Sequence, residues 1–178
     1  MAEQRSNPYG VFNFKLEFDG PETIAELAGK PVAIGFMECT GLESEIAPIE
    51  YRDSLFPQGE GTGSYVRKLH GMERYPNVVL RRGVTRSIAL WKWRQLVRDG
   101  DLSNSDEATS WDKWSQIKAN VTINLCNENH TPVRAWSLQD AWPCKLSGPV
   151  LSARTNEIAI ETLELCCDRI SLEKIPTS

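Results

Sequence analysis

The chain has 178 residues, of which 40% are hydrophobic and 25% charged, with a formal net charge of −4. This composition excludes a collagen-like, coiled-coil or wholly disordered chain and supports one hydrophobic core. No run approaches the ~18 consecutive apolar residues of a membrane span, and Met1–Tyr9 lacks the apolar stretch of a secretory signal, so synthesis and folding in the cytoplasm are expected.

Taken in chain order, most of the signal is β. Val11–Phe18 alternates strictly, with Phe12, Phe14, Leu16 and Phe18 in one phase and Asn13, Lys15 and Glu17 in the other. That is the pattern of a half-buried strand, ended by Asp19-Gly20-Pro21. Val32–Met37 is a second strand candidate. Leu42–Gly71 has few apolar residues for its length and contains the Gly59–Gly63 run. Thirty residues of plain loop are uncommon in a compact domain, so a projecting hairpin arm is expected, with EIAPIEYRD and SYVRKL as its sides. Pro76–Arg82 is another strand.

Ser87–Arg98 places apolar residues at 89, 90, 93, 96 and 97, close to helical spacing. Thr85 or Ser87 can cap its start and Asp99-Gly100 its end. Gly100–Asp112 is polar and reads as a loop or a short second helix running to Trp114. Val121–Leu125 and Val133–Leu138 flank the polar turn Asn127–Thr131 and read as a hairpin. In Asn156–Cys167, Ile158 and Ile160 share one phase, whereas Leu163 and Leu165 share the other. A β-bulge near Thr162, or a stretch buried on both faces, would account for the switch. The chain reads as one domain, 1–178, with an arm at about 42–71 and a helix at about 87–98.

Charge is unevenly spread. Residues 1–60 carry 4 Lys/Arg against 11 Asp/Glu, residues 61–100 carry 9 against 2, and residues 101–178 carry 7 against 11. A basic middle between acidic flanks fits a nucleic-acid footprint or one half of a self-complementary surface. The overall acidity favours the latter.

The chemistry of catalysis is hard to find. His70 and His130 fall in arm and turn contexts, without H-x-x-x-H or H-E-x-x-H spacing. Nucleophile-elbow, phosphate-loop and dinucleotide fingerprints are missing, and Gly59–Gly63 lacks the Lys-[Ser/Thr] and following helix that a phosphate cradle needs. The carboxylate pairs Glu43/Glu45 and Glu161/Glu164 are the kind that solvated strand faces produce. Five cysteines (Cys39, Cys126, Cys144, Cys166, Cys167) form no C-x-x-C pair and read as small buried residues. The six tryptophans, Trp91, Trp93, Trp111, Trp114, Trp136 and Trp142, suit core or subunit packing.

Three stretches carry a more specific pattern: GLESEIAPIEYRD (Gly41–Asp53), VRKLHGMERYPNVVLRRGVTRSIALWKW (Val66–Trp93) and PVRAWSLQDAWPCKLSGPVLSARTNEIAIETLELCCD (Pro132–Asp168). With NPYGVFNFKLEFDG at the start, their order and spacing resemble the tail tube proteins of contractile-tailed phages and the inner-tube proteins of phage-tail-like contractile injection systems. The resemblance covers nearly the whole chain except Pro21–Lys30 and Gly100–Asp112. The sequence departs from the family pattern in the length of Gly100–Asp112 and in Cys166-Cys167.

The resemblance implies a mainly β fold: a small β-barrel or two-sheet sandwich with one flanking α-helix and a projecting hairpin arm. It implies hexameric rings, stacked into a hollow tube inside a sheath, with no catalysis, cofactor or metal. Implied partners are other copies of the chain, a sheath protein, baseplate and terminator proteins and possible cargo in the lumen, without membrane insertion or specific nucleic-acid recognition. The expected final location is a phage tail or injection particle. The expected subunit and ring interface is the arm, through Glu43, Glu45, Glu50, Tyr51, Arg52, Asp53, Tyr65, Val66, Arg67, Lys68 and Leu69. Arg67 and Lys68 are expected to meet acidic groups of a neighbour. The rival reading is a monomeric β-sandwich that holds a ligand on exposed tryptophans; a third is a nucleic-acid binder using Arg67–Arg98.

Overall fold

Alternation of apolar and polar residues generates most of the architecture. A computed structural model describes residues 7–20, 35–53, 65–99, 114–115, 117–154 and 156–173. Its elements are β1 (Phe14–Asp19), β2 (Phe36–Thr40), β3 (Glu45–Asp53), β4 (Tyr65–Arg74), β5 (Val78–Gly83), α1 (Ala89–Asp99), β6 (Ala119–Cys126), β7 (Pro132–Ser147), β8 (Ile160–Cys166) and β9 (Arg169–Glu173). The fold is mainly β; among the described residues every strand pair is antiparallel and α1 is the one full helix beside the sheets.

The main sheet runs β1-β6-β7-β8-β5-β2, with β9 also on β7, while β3 and β4 form a separate two-stranded sheet. The long β7 belongs to both layers. Its first half pairs with β6 and β9, and its last residues, Trp142–Ser147, pair with β8. The change of layer falls at a bulge around Gln139 and Asp140, where Asp140 takes a left-handed φ of 53°. Asn120 Oδ1 accepts the Asp140 N–H at 3.2 Å. A bulge that bends a strand from one sheet to the next is the usual way to build such a corner. Among the described residues the strand path is open, with no ladder joining β1 to β2.

Between the layers lies the core. Leu16, Phe18, Val121, Ile123 and Leu138 face Val78, Leu80, Leu163 and Leu165, and Ala89, Leu90 and Trp93 of α1 join the same cluster. Burying each large side chain is worth about 1.5–3 kcal/mol. Trp93 is fully buried, lies edge-to-face with Phe18 at 6.0 Å, and donates its indole N–H to the Ile117 carbonyl at 2.8 Å. At the start of α1, Ser87 Oγ accepts the Ala89 N–H, the bond of an N-cap. The Gly100 end of this helix and the polar run after it lie outside the described residues.

Three expectations change. The first strand starts at Phe14, and Phe12 is 82% exposed in a turn before it. Val32–Met37 becomes β2 at Phe36–Thr40, with residues 32–34 outside the described residues. There is no bulge near Thr162, because β8 pairs with β5 in unbroken register from Ile160 to Leu165. Instead, Glu161 occupies the core phase beside Leu163 and Leu165, and Ile158 lies outside the strand and is exposed. Glu161 tolerates that position because it forms an ion pair with Arg82, directly opposite in register and itself 1% exposed.

Candidate assembly interface

The arm leaves the body at Gly41. This residue has φ 88°, and a Cβ there would collide with the Asn77 carbonyl. Only glycine satisfies both constraints at no cost. Glu43 follows in the lead-in, exposed, with its N–H donated to the Gly41 carbonyl at 2.9 Å. From Glu45 the chain enters β3, returns as β4 and keeps register from Asp53↔Tyr65 back to Glu45↔Arg74, with one extra residue on β4 between His70 and Glu73. Gly71 sits at that irregularity, where a Cβ would strike the Ala47 carbonyl. The loop joining the strands, with Gly59–Gly63, lies outside the described residues.

Every expected interface residue falls on β3 or β4 except Glu43, in the lead-in to β3. The register sets Glu50 opposite Lys68, Tyr51 opposite Arg67, Arg52 opposite Val66, Asp53 opposite Tyr65 and Ile49 opposite Leu69. Lys68 Nζ meets Glu50 Oε1 at 3.1 Å, so part of the expected charge matching occurs within one arm. Arg67 and Lys68 are consecutive strand residues and project from opposite faces.

The basic middle of the sequence does not form one patch. Lys68 pairs with Glu50, Arg81 with Glu38, Arg82 with Glu161 and Arg98 with Asp99. Glu164, read from sequence as a solvated strand residue, pairs with Lys145 at 2.7 Å. The tryptophans are dispersed too: Trp93 is in the core, Trp114 and Trp142 are edge-to-face at 5.6 Å, and Trp91 stands half exposed on α1. A cleft of about 310 Å³ is lined by Asp19, Gly20, Ser115, Lys118, Ala119, Asn120 and Asp140, without an aromatic platform. Among the described residues no three His, Cys, Asp or Glu side chains converge as a metal set, and no helix is long and apolar enough to cross a membrane.

Cysteine chemistry is subdued. Burial pushes the Cys39 and Cys167 thiols up to about 11, and Cys144 is raised mainly by burial. Sequence reading missed a different feature, the exposed aliphatic residues Val150, Leu151 and Ile158 in the β7–β8 connection. The available signal was a set of aliphatics inside a run rich in Gly, Pro, Ser and Asn.

Among the described residues, β3 and β4 form a separate hairpin with exposed apolar residues, and β1, β2 and β9 are the edge strands of the body. Residues 10–171 match the T4-like virus tail tube protein gp19, and the chain belongs to that family. It is a structural protein of the tail-tube class. Among solved structures it is similar to a chain of an extracellular contractile injection system, the PVC sheath–tube complex in the extended state (24% identity, 96% of this chain and 94% of that chain, TM-score 0.68). It is also similar to a chain of the anti-feeding prophage cap, the AFP tube terminating cap (25% identity, 97% and 95%, TM-score 0.69). A chain of the anti-feeding prophage baseplate matches at 24% identity over 97% and 100%, with a TM-score of 0.71. No curated protein sequence matches the chain.

Proposed function

We propose that this chain is the repeating subunit of the hollow inner tube of a contractile tail or injection particle, with six copies per ring and the rings stacked inside a sheath. The observation that carries this reading is the family match across residues 10–171 together with an arm whose apolar residues its own body leaves uncovered. Among the described residues β1, β2 and β9 are edge strands, which supplies a further reason, since unpaired edges are stabilised when neighbouring copies continue the sheet. The chain acts as one tube-protein unit without catalysis or cofactor. Its partners are copies of itself, the sheath, and the terminator and baseplate proteins, with the lumen open to a cargo. Assembly takes place in the cytoplasm before the particle is released. Specific nucleic-acid recognition is disfavoured because so many of its central basic side chains are already paired.

Negative-stain images of concentrated protein should show annuli or hollow rods. A strictly monodisperse monomer, even with sheath and terminator proteins added, would overturn the reading.

A further inference from the structure

Two of the five cysteines, Cys144 and Cys166, are neighbours across the β7–β8 ladder, and both are half-buried. The other three are set apart: Cys126 and Cys167 are buried, and Cys39 packs against the core. Cys166 follows the core residue Leu165 in β8, so strand alternation turns it to the outer face of the sheet. Cys144 sits in the bulge of β7, between Pro143, opposite Leu165, and Lys145, opposite Glu164. Trp142 is opposite Cys166, so in a plain ladder Cys144 would be the diagonal neighbour of Cys166, with Cα atoms about 7–8 Å apart. A disulfide spans at most about 7 Å. The extra residue on β7 draws Cys144 back towards Cys166 and shortens that diagonal. The side chain leans the same way. Cys144 Sγ donates to the Glu164 carbonyl at 3.2 Å, and Asn77 Nδ2 donates to Cys144 Sγ at 3.4 Å. Asn77 and Cys166 are the next residues beyond the Val78↔Leu165 pair, so a sulfur that reaches both Glu164 and Asn77 lies over β8 beside Cys166. Burial raises the Cys144 thiol, and charge at Cys166 and Glu164 raises it further.

We propose that Cys144 and Cys166 are a redox site, which closes as an intrachain disulfide by exchange with a low-molecular-weight disulfide and reopens with a thiol. Cys166 reacts first, because the Cys144 proton is held by the Glu164 carbonyl. The Cys166 thiolate bonds to one sulfur of the small disulfide and expels a thiolate. Cys144 then gives its proton to water, attacks Cys166 Sγ and expels the second thiolate. The protein thiols lose two electrons and two protons, and the small disulfide becomes two thiols. The bridge ties β7 to β8 at the irregular point of their ladder and encloses residues 145–165, the stretch with the exposed Val150, Leu151 and Ile158. Closing such a loop removes freedom from the unfolded chain, so the oxidised subunit is the more stable form. A reducing compartment keeps the site open and an oxidising one closes it. The site lies within one subunit, so it stands or falls separately from the tube reading.

The test uses the folded parent protein, incubated with reduced or oxidised glutathione, trapped with an alkylating agent and mapped by mass spectrometry. Oxidation should remove two hydrogen masses and leave no glutathione attached, and the linked peptides should be those of Cys144 and Cys166. The oxidised form should unfold at a higher denaturant midpoint, and dithiothreitol should return the midpoint to the reduced value. In Cys144→Ser, glutathione should remain on Cys166 as a mixed disulfide, since the second thiol is missing. Cys144→Ser and Cys166→Ser should both lose the midpoint shift. A bridge to any other cysteine, a vicinal Cys166–Cys167 bond included, would overturn the proposal. So would a glutathione adduct that never closes in the parent, or a parent midpoint unmoved by oxidation. The peptide map of the parent decides the matter even where a serine variant fails to fold.

Discussion

Arg82 and Glu161 are the most consequential pair in the core. Both sit in positions whose strand neighbours are Leu80 and Leu163, and Arg82 Nη1 has no hydrogen-bond partner. A buried ion pair is costly to form and costlier to break, because removing one partner strands a charge in a low-dielectric interior. Arg82→Ala or Glu161→Ala should each lose about 3–5 kcal/mol, read from denaturant unfolding. The double change Arg82→Met with Glu161→Leu should recover most of that loss; a double variant as unstable as the singles would show that the pair is not the source. The thiols give a pH signature. Cys39 and Cys167 are raised from 9.0 to about 11 in the folded protein, so the folded state holds these protons more tightly than the unfolded one. Their contribution to stability is complete below pH 9 and is lost as pH rises through about 11. Unfolding midpoints should fall across that window, and replacing both cysteines with Ala should flatten the fall.

At the scale of elements, legibility followed packing on the chain's own core. The Phe14–Phe18 alternation, the Val121–Leu125 strand and the apolar stripe around Leu90 and Trp93 were readable because burial imposes periods of 2 and 3.6. What sequence could not place was governed by partners distant in the chain. Glu161 took a core phase because Arg82 lay opposite, a pairing across 79 residues. The bend in β7 depends on Asp140 adopting a positive φ, and no apolar pattern announces it. The arm was legible by its poverty of apolar residues, but its register, and hence the split of its residues between two faces, was not. At the root of the arm, Gly41→Ala should destabilise the body while also misdirecting the arm, because it meets both a left-handed φ and the Asn77 carbonyl; unfolding midpoint and tube yield should fall together. Ser87→Ala removes the helix cap and should cost about 1 kcal/mol without affecting tube formation. Hydrogen exchange should find β3 and β4 weakly protected in a monomer and strongly protected in tubes, while β1 and β6 are protected in both. Strong protection of the arm in a verified monomer would mean that it needs no neighbour.

For the whole molecule, the interface proposed for the arm predicts that its surface charge affects assembly more than stability. Arg67→Glu with Lys68→Glu places like charges on both faces, and one of them directly opposes Glu50. Exposed ion pairs add only ~0–1 kcal/mol to folding, so the body should unfold as the parent does while tube yield collapses. Equal polymerisation of parent and variant, by sedimentation, would remove these residues from the interface. The strand order also has a consequence for how the protein is made. The body's ladders join distant parts of the chain: Phe14 pairs with Leu125, and Val78 with Leu165. The arm, by contrast, closes within a span of some thirty residues, Glu45 to Arg74. Local contacts form early and long-range pairings late. During translation both strands of the ribbon are therefore made before β6, β7, β8 and β9, on which the body's ladders depend. Most of the body's sheet cannot close until β8 and β9 have been made. Until then the exposed apolar residues of the ribbon, Ile46, Ile49, Val66 and Leu69, belong to a chain whose body is still open, the kind of species that aggregates.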